Sequence, residues 1–174
     1  SELNWEPRSL EEGLRKTVPW FGRKEYEKSR QLLSQLQTPL VGLTVFDVGL
    51  GLTATFLPDL YEKIMHGTDE EVHTDRKLLA RTGILWLVFA GVQGMAARDP
   101  EERPGWVMAA GVLRMMDVPA DPTYYGRSQN LTTLGRLGLL TAPIFNLISG
   151  GFFLYSGYRG LRARKWETID VDNE

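Results

Sequence analysis

An arginine and an aspartate three residues apart, Arg114 and Asp117, close the otherwise apolar run GWVMAAGVLRMMDVP (105–119). At that spacing a guanidinium and a carboxylate on one helix face can pair with each other. Three more polar residues stand alone inside long apolar runs. Asp47 interrupts PLVGLTVFDVGLGLTATFLP (39–58), Gln93 interrupts LLARTGILWLVFAGVQGMAA (78–97), and Asn146 interrupts LGRLGLLTAPIFNLISGGFFLYSGY (134–158). Carboxylate, guanidinium and amide groups of this kind either hold a polar group of a ligand or satisfy one another.

The rest of the sequence offers little other chemistry. There are no cysteines, which removes disulfides, thiolate zinc sites, iron–sulfur clusters and Cys nucleophiles together. The only histidines, His66 and His73, lie in a polar segment with Asp69, Glu70, Glu71 and Asp75. That segment reads as a solvated acidic loop, so no metal site is expected, and no axial His ligand stands inside an apolar run. Phosphate loops, G-x-S-x-G elbows, H-E-x-x-H pairs and dinucleotide fingerprints are absent. No catalytic residue and no cofactor are therefore expected, although a bound lipid or a peripheral pigment or quinone contact fits the composition. The net charge of −2 gives no basic field for nucleic acid.

The 174 residues fit one domain. The mean hydropathy of −0.22 suggests a soluble chain, but the charge is unevenly spread. Runs 39–58, 78–97 and 134–158 carry one charge each (Asp47, Arg81 and Arg136). A bilayer core of ~30 Å needs about 20 helical residues, and these three runs are long enough. Stretches ILWLVFAGV (84–92) and LISGGFFLY (147–155) lack the polar face of a soluble amphipathic helix. The run 105–119 is shorter and holds two charges. The expected fold is an all-α integral membrane four-helix bundle (39–158) with a short third helix.

Residues 1–38 read as a charged, amphipathic N-terminal arm, either solvated or lying on a membrane or a partner. A helix starting at the capping-box spacing Ser9-x-x-Glu12 should end at Pro19, and a second should cover 23–37. Trp20 and Phe21 are expected as interface anchors, with Arg159, Arg162, Arg164 and Lys165 after the last span. Residues 159–174 form a basic, then acidic, tail. Segments 59–77 and 118–133 read as loops. Lys and Arg near the span ends favour the side holding both termini by ten to six, which puts both in the cytoplasm.

That topology sets depths at 1.5 Å per residue. Asp47 falls about 12 Å and Arg114 about 15 Å below the cytoplasmic face, with Asn146 at about 18 Å and Gln93 at about 7 Å. Charges in hydrocarbon turn inward and find partners. Arg114 can therefore reach Asp47 across the bundle or Asp117 on its own helix, and the spacing slightly favours Asp117. Gly42 with Gly49, Gly91 with Gly94, Gly138 with Ala142, and Asn146 with Gly150 have spacings suited to close helix packing. Pro143 should bend the last span.

The order of features resembles the small bacterial four-helix DoxX-like membrane proteins. The likeness rests on a first span ending FLP (56–58), a second opened by RTG (81–83) and closed by ARDP (97–100), and a third helix ending RMMD (114–117). It covers about 39–158 and implies the bacterial inner membrane but no particular activity. Two functions fit. The first is a non-catalytic accessory subunit of a respiratory or photosynthetic membrane complex, contacting lipids and neighbouring subunits through 1–38 and the tail. The second is a small membrane enzyme or carrier that engages a lipid-like or quinone-like substrate through Asp47, Arg114 and Asn146.

Overall fold

The computed structural model describes residues 10–67, 75–128 and 130–171, with side chains described between 20 and 165. All regular structure among the described residues is helical: α1 Leu10–Ser34, α2 Gln37–Phe56, α3 Pro58–His66, α4 Arg76–Arg98, α5 Pro104–Asp117, α6 Ala120–Arg127 and α7 Thr133–Val171. Three helical stretches are long and apolar enough to cross a bilayer: Trp20–Phe56, Arg76–Arg98 and Thr133–Lys165. Helix α5, at 14 residues, is about 21 Å long and falls short of the ~30 Å core.

The packing runs α2 on α4, α4 on α5 and α5 on α7, while α1 lies along the end of α7. Helices α2 and α7 make no extensive contact with each other, and α3 bridges the space between them at one end. The opposite end gathers α1, the α4–α5 turn and the end of α7. There Arg30 reaches Glu101 at 2.7 Å, and Arg164 reaches Glu102 at 2.8 Å and its carbonyl at 2.6 Å. Behind this polar clamp Leu33, Leu36, Leu40 and Leu43 bury against Ala96, Ala97, Val107, Ala110 and Phe153. The buried positions 33, 36, 40, 43, 47 and 54 follow a three-four spacing, one stripe of an α-helix. Asp47 thus stands in the apolar stripe itself.

Several boundaries differ from the sequence reading. Helix α1 runs through Pro19 as one helix, because a proline removes a single backbone donor and the flanking turns remain bonded. Helix α2, which carries the first apolar run, begins at Gln37, two residues before Pro39, which occupies the first turn, where its missing N–H has no intrahelical partner. Segment 59–77 contains α3, started by Pro58 and Asp59; His73 lies outside the described residues. Segment 118–133 contains α6, with Asp121 in its first turn. The tail after Tyr158 continues α7 as far as Val171. In each case helix propensity and packing extend a helix into polar sequence, where hydropathy marks only a boundary.

The close-packed seams also lie elsewhere than the glycine spacings suggested. A Cβ at Gly42, Gly49, Gly91 or Gly138 would meet nothing within 4 Å, and one at Gly94 makes only ordinary contact with Thr44. Gly150 is the exception: its Cβ would lie 3.0 Å from the Gly111 carbonyl oxygen. The tight approaches include Gly51 with Gly83 between α2 and α4, Gly111 with Gly150 and Gly157 with Pro104 and Met108 between α5 and α7, and Gly135 with Met65 between α7 and α3. Geometry explains the difference. At about 100° per residue, Gly51 shares the inward face of Asp47, whereas Gly49 lies about 200° round and Gly42 about 140° round.

Gly51→Val should therefore destabilise the protein by ~1–3 kcal/mol through overpacking. Gly42→Val should stay within ~0.5 kcal/mol. Helicity followed through SDS titration in mild-detergent micelles measures both.

Candidate functional site

Four helices each contribute to one buried polar network. Helix α2 brings Asp47 (1% exposed), α4 Gln93 (0%), α5 Arg114 (4%) and α7 Asn146 (2%). Arg114 Nη2 donates to Asp47 Oδ2 at 2.5 Å and to Gln93 Oε1 at 3.1 Å, while Nη1 donates to Asn146 Oδ1 at 3.2 Å. Gln93 Nε2 donates to the same Asp47 oxygen at 2.7 Å. Asn146 Nδ2 donates to Asp117 Oδ2 at 3.1 Å. The two amides thus each face two ways, accepting from the guanidinium and donating to a carboxylate, which matches their donor and acceptor inventory.

Arg114 pairs with Asp47 across the bundle. The expected alternative, a direct i,i+3 bridge to Asp117, is corrected: Asp117 reaches the arginine only through Asn146. The reason is helix direction. Side chains lean toward the helix N-terminus, so an arginine in the last turn points back into the bundle and away from the C-terminal residue. Asp117 ends α5, where a negative charge opposes the helix dipole, and the Asn146 amide supplies its donor. Arg114 Nε has no hydrogen-bond partner among the described residues.

This network floors a cavity of about 650 Å³. One wall is α2 (Leu43, Phe46, Gly49), the other α7 (Gly138, Leu139, Ala142, Phe145), and α3 covers one end with Tyr61 and Met65. Phe46 and Phe145 are exposed on the outer surface as well, so the cavity opens sideways between α2 and α7. Gly49, Gly138 and Ala142, whose spacing suggested helix seams, line this space instead. Asp117 and Asp121 stand at its polar end with Arg114. Asp121, on α6, was not singled out by sequence, because the segment around it reads as loop. Its Oδ2 has no donor among the described residues. Burial raises the Tyr61 phenol above its ordinary range.

The other sequence-marked residues lie away from this cavity. His66 is 6% exposed, with Nε2 2.9 Å from the Tyr124 hydroxyl, tying α3 to α6. Among the described residues no three His, Asp or Glu side chains gather as a metal site would need. Trp20 and Phe21 are exposed and stack edge to face at 4.9 Å. Arg159 reaches Glu25 at 2.6 Å, and Arg164 joins the clamp on the α4–α5 turn; Arg162 and Lys165 are exposed on the same stretch of α7. Comparison with family models, with curated proteins and with solved structures returned no match. The DoxX-like likeness therefore rests on the short motifs at 56–58, 81–83, 97–100 and 114–117 alone.

One outcome follows. Asn146→Ala leaves Asp117 and one guanidinium nitrogen without partners and should cost ~1–3 kcal/mol in the same SDS titration.

Proposed function

We propose that the chain is a multi-pass membrane protein that admits an amphiphilic small molecule, lipid-like or quinone-like, from the bilayer into the cavity between α2 and α7. One observation carries this reading: an apolar cavity, open on the lipid-facing side, ends on a buried polar network. A 650 Å³ space is the size of an ordinary small-molecule site. Apolar tails would lie along Phe46, Leu139 and Phe145, with the polar head against Asn146, Asp117 and Asp121. In this reading α5 and α6 together form the third of four membrane helices, broken at Val118–Pro119 beside the site. Both termini are then on the cytoplasmic side of a bacterial inner membrane, as the Lys and Arg count favours. The reading extends to binding and presentation of that molecule.

An accessory role in a respiratory or photosynthetic assembly remains the second reading. Its support is the broad apolar outer face of α2 (Val41, Val45, Val48 and Leu52), which a neighbouring subunit could cover in place of lipid.

Native mass spectrometry after gentle detergent extraction separates the two. The amphiphile reading expects one retained lipid or quinone per chain. Ala142→Trp, which fills the cavity, should lose that molecule while keeping its melting temperature. Absence of any retained amphiphile, with other polypeptides co-purifying, would overturn it in favour of the subunit reading.

A further inference from the structure

A second cleft lies at the opposite end of α7, between that helix and α1, and the cavity reading does not involve it. It encloses about 600 Å³ and is lined by Phe21, Glu25, Ser29, Tyr155, Tyr158, Arg159 and Arg162, among others. Its chemistry is layered. At the bottom stands Ser29, 3% exposed, on the α1 wall of the cleft. At the rim are two guanidinium groups. Arg159 Nη2 is held by Glu25 at 2.6 Å, and its Nη1 by the Tyr155 hydroxyl at 3.3 Å. Arg162 is exposed and makes neither an ion pair nor a hydrogen bond among the described residues. Glu25, the one carboxylate among the described lining residues, already faces two cations, Arg159 and Lys28 (3.6 Å). Among the described residues the lining is therefore net positive, with one guanidinium held and one exposed.

Around this polar centre the walls are amphipathic aromatics. Phe21, Tyr155 and Tyr158 are each more than half exposed, and Trp20 continues the belt beside Phe21. Aromatic rings of this kind settle at the headgroup level of a bilayer. A basic cleft between helices at that level is suited to an anionic headgroup. A guanidinium matches the oxygens of a phosphodiester, and the hydroxyl beneath supplies one more donor.

We propose that the α1–α7 cleft binds the phosphodiester headgroup of an anionic phospholipid, with Arg162 and Ser29 as its donors and Arg159 positioned by Glu25 and Tyr155. The acyl chains would leave along Tyr155 and the apolar face of α7. The site depends on charge, whereas the α2–α7 cavity depends on shape and apolar lining, so the two are separable.

The test uses the full chain in phosphatidylcholine nanodiscs doped with phosphatidylglycerol of the same acyl composition, and native mass spectrometry counts the lipids retained. One phosphatidylglycerol should be retained in preference to phosphatidylcholine. Removing one basic group near a membrane surface should weaken that preference about fivefold in Arg162→Gln. Ser29→Ala should weaken it in the same direction, and the exposed position of Arg162 leaves its variant folded. Arg136→Gln, at the other end of α7, and the cavity-filling Ala142→Trp should both keep the preference. Equal retention of the two lipids overturns the proposal, as does wild-type retention in both Arg162→Gln and Ser29→Ala. Displacement of the lipid by an equal concentration of glycerol phosphate overturns it in favour of a soluble anion.

Discussion

The arrangement of this chain turns on a single constraint: a guanidinium buried to 4% exposure inside a helical bundle. A charge placed in hydrocarbon costs at least ~2.5–3.5 kcal/mol even on the mildest scales, and it is tolerated only with partners. Arg114 draws those partners from three other helices, through Asp47, Gln93 and Asn146. The acceptors come from points far apart in sequence, so the network fixes the rotation of α2, α4 and α7 about their own axes. Apolar packing alone, with lipid as apolar as Leu, would leave those rotations weakly specified. A buried ion pair is poor evidence of added stability, but removing one of its members leaves a charge uncompensated.

The glycines complete what the network begins. Gly51 against Gly83 brings α2 close to α4, and Gly111 against Gly150 brings α5 close to α7. Two tight pairs result, joined through α4 and α5, and the remaining edge between α2 and α7 stays open. Small residues on that open edge, Gly49, Gly138 and Ala142, widen the space and draw no helices together. The same residue type thus closes one face and opens another, depending on which side of the Asp47 stripe it occupies. The break after Asp117 adds a further consequence, because α6 carries Asp121 to the polar end of the opening.

Much of this was legible in the sequence. Isolated polar residues in apolar runs marked the inward faces, and 1.5 Å per residue put Asp47 and Arg114 at matching depth. What escaped was directional. The choice between Asp47 and Asp117 depends on the backward lean of side chains from a helix end, which spacing does not encode. The glycine seams escape because spacing within one helix does not say which way that helix is turned. Referred to Asp47 and Gln93 as fixed inward points, the same sequence turns Gly49 and Gly91 outward and Gly51 inward. Helices α3 and α6 were hidden by their polarity: each is short, begins near a proline and is held by contacts such as His66 with Tyr124 that join distant segments.

The cavity derives its character from its floor. A bundle closed by apolar side chains alone would present one uniform surface, whereas here an apolar entrance leads to a cation, an amide and three carboxylates. Whether Arg114 and Asp47 act as one unit is most directly measured by a double-mutant cycle, Asp47→Asn and Arg114→Met, scored by folded fraction in SDS titration. The account predicts that each single variant loses ~3–5 kcal/mol and that the double variant loses distinctly less than their sum, because the second change removes the charge the first left bare. Losses that simply add would contradict it, since the two side chains would then be supporting the fold independently.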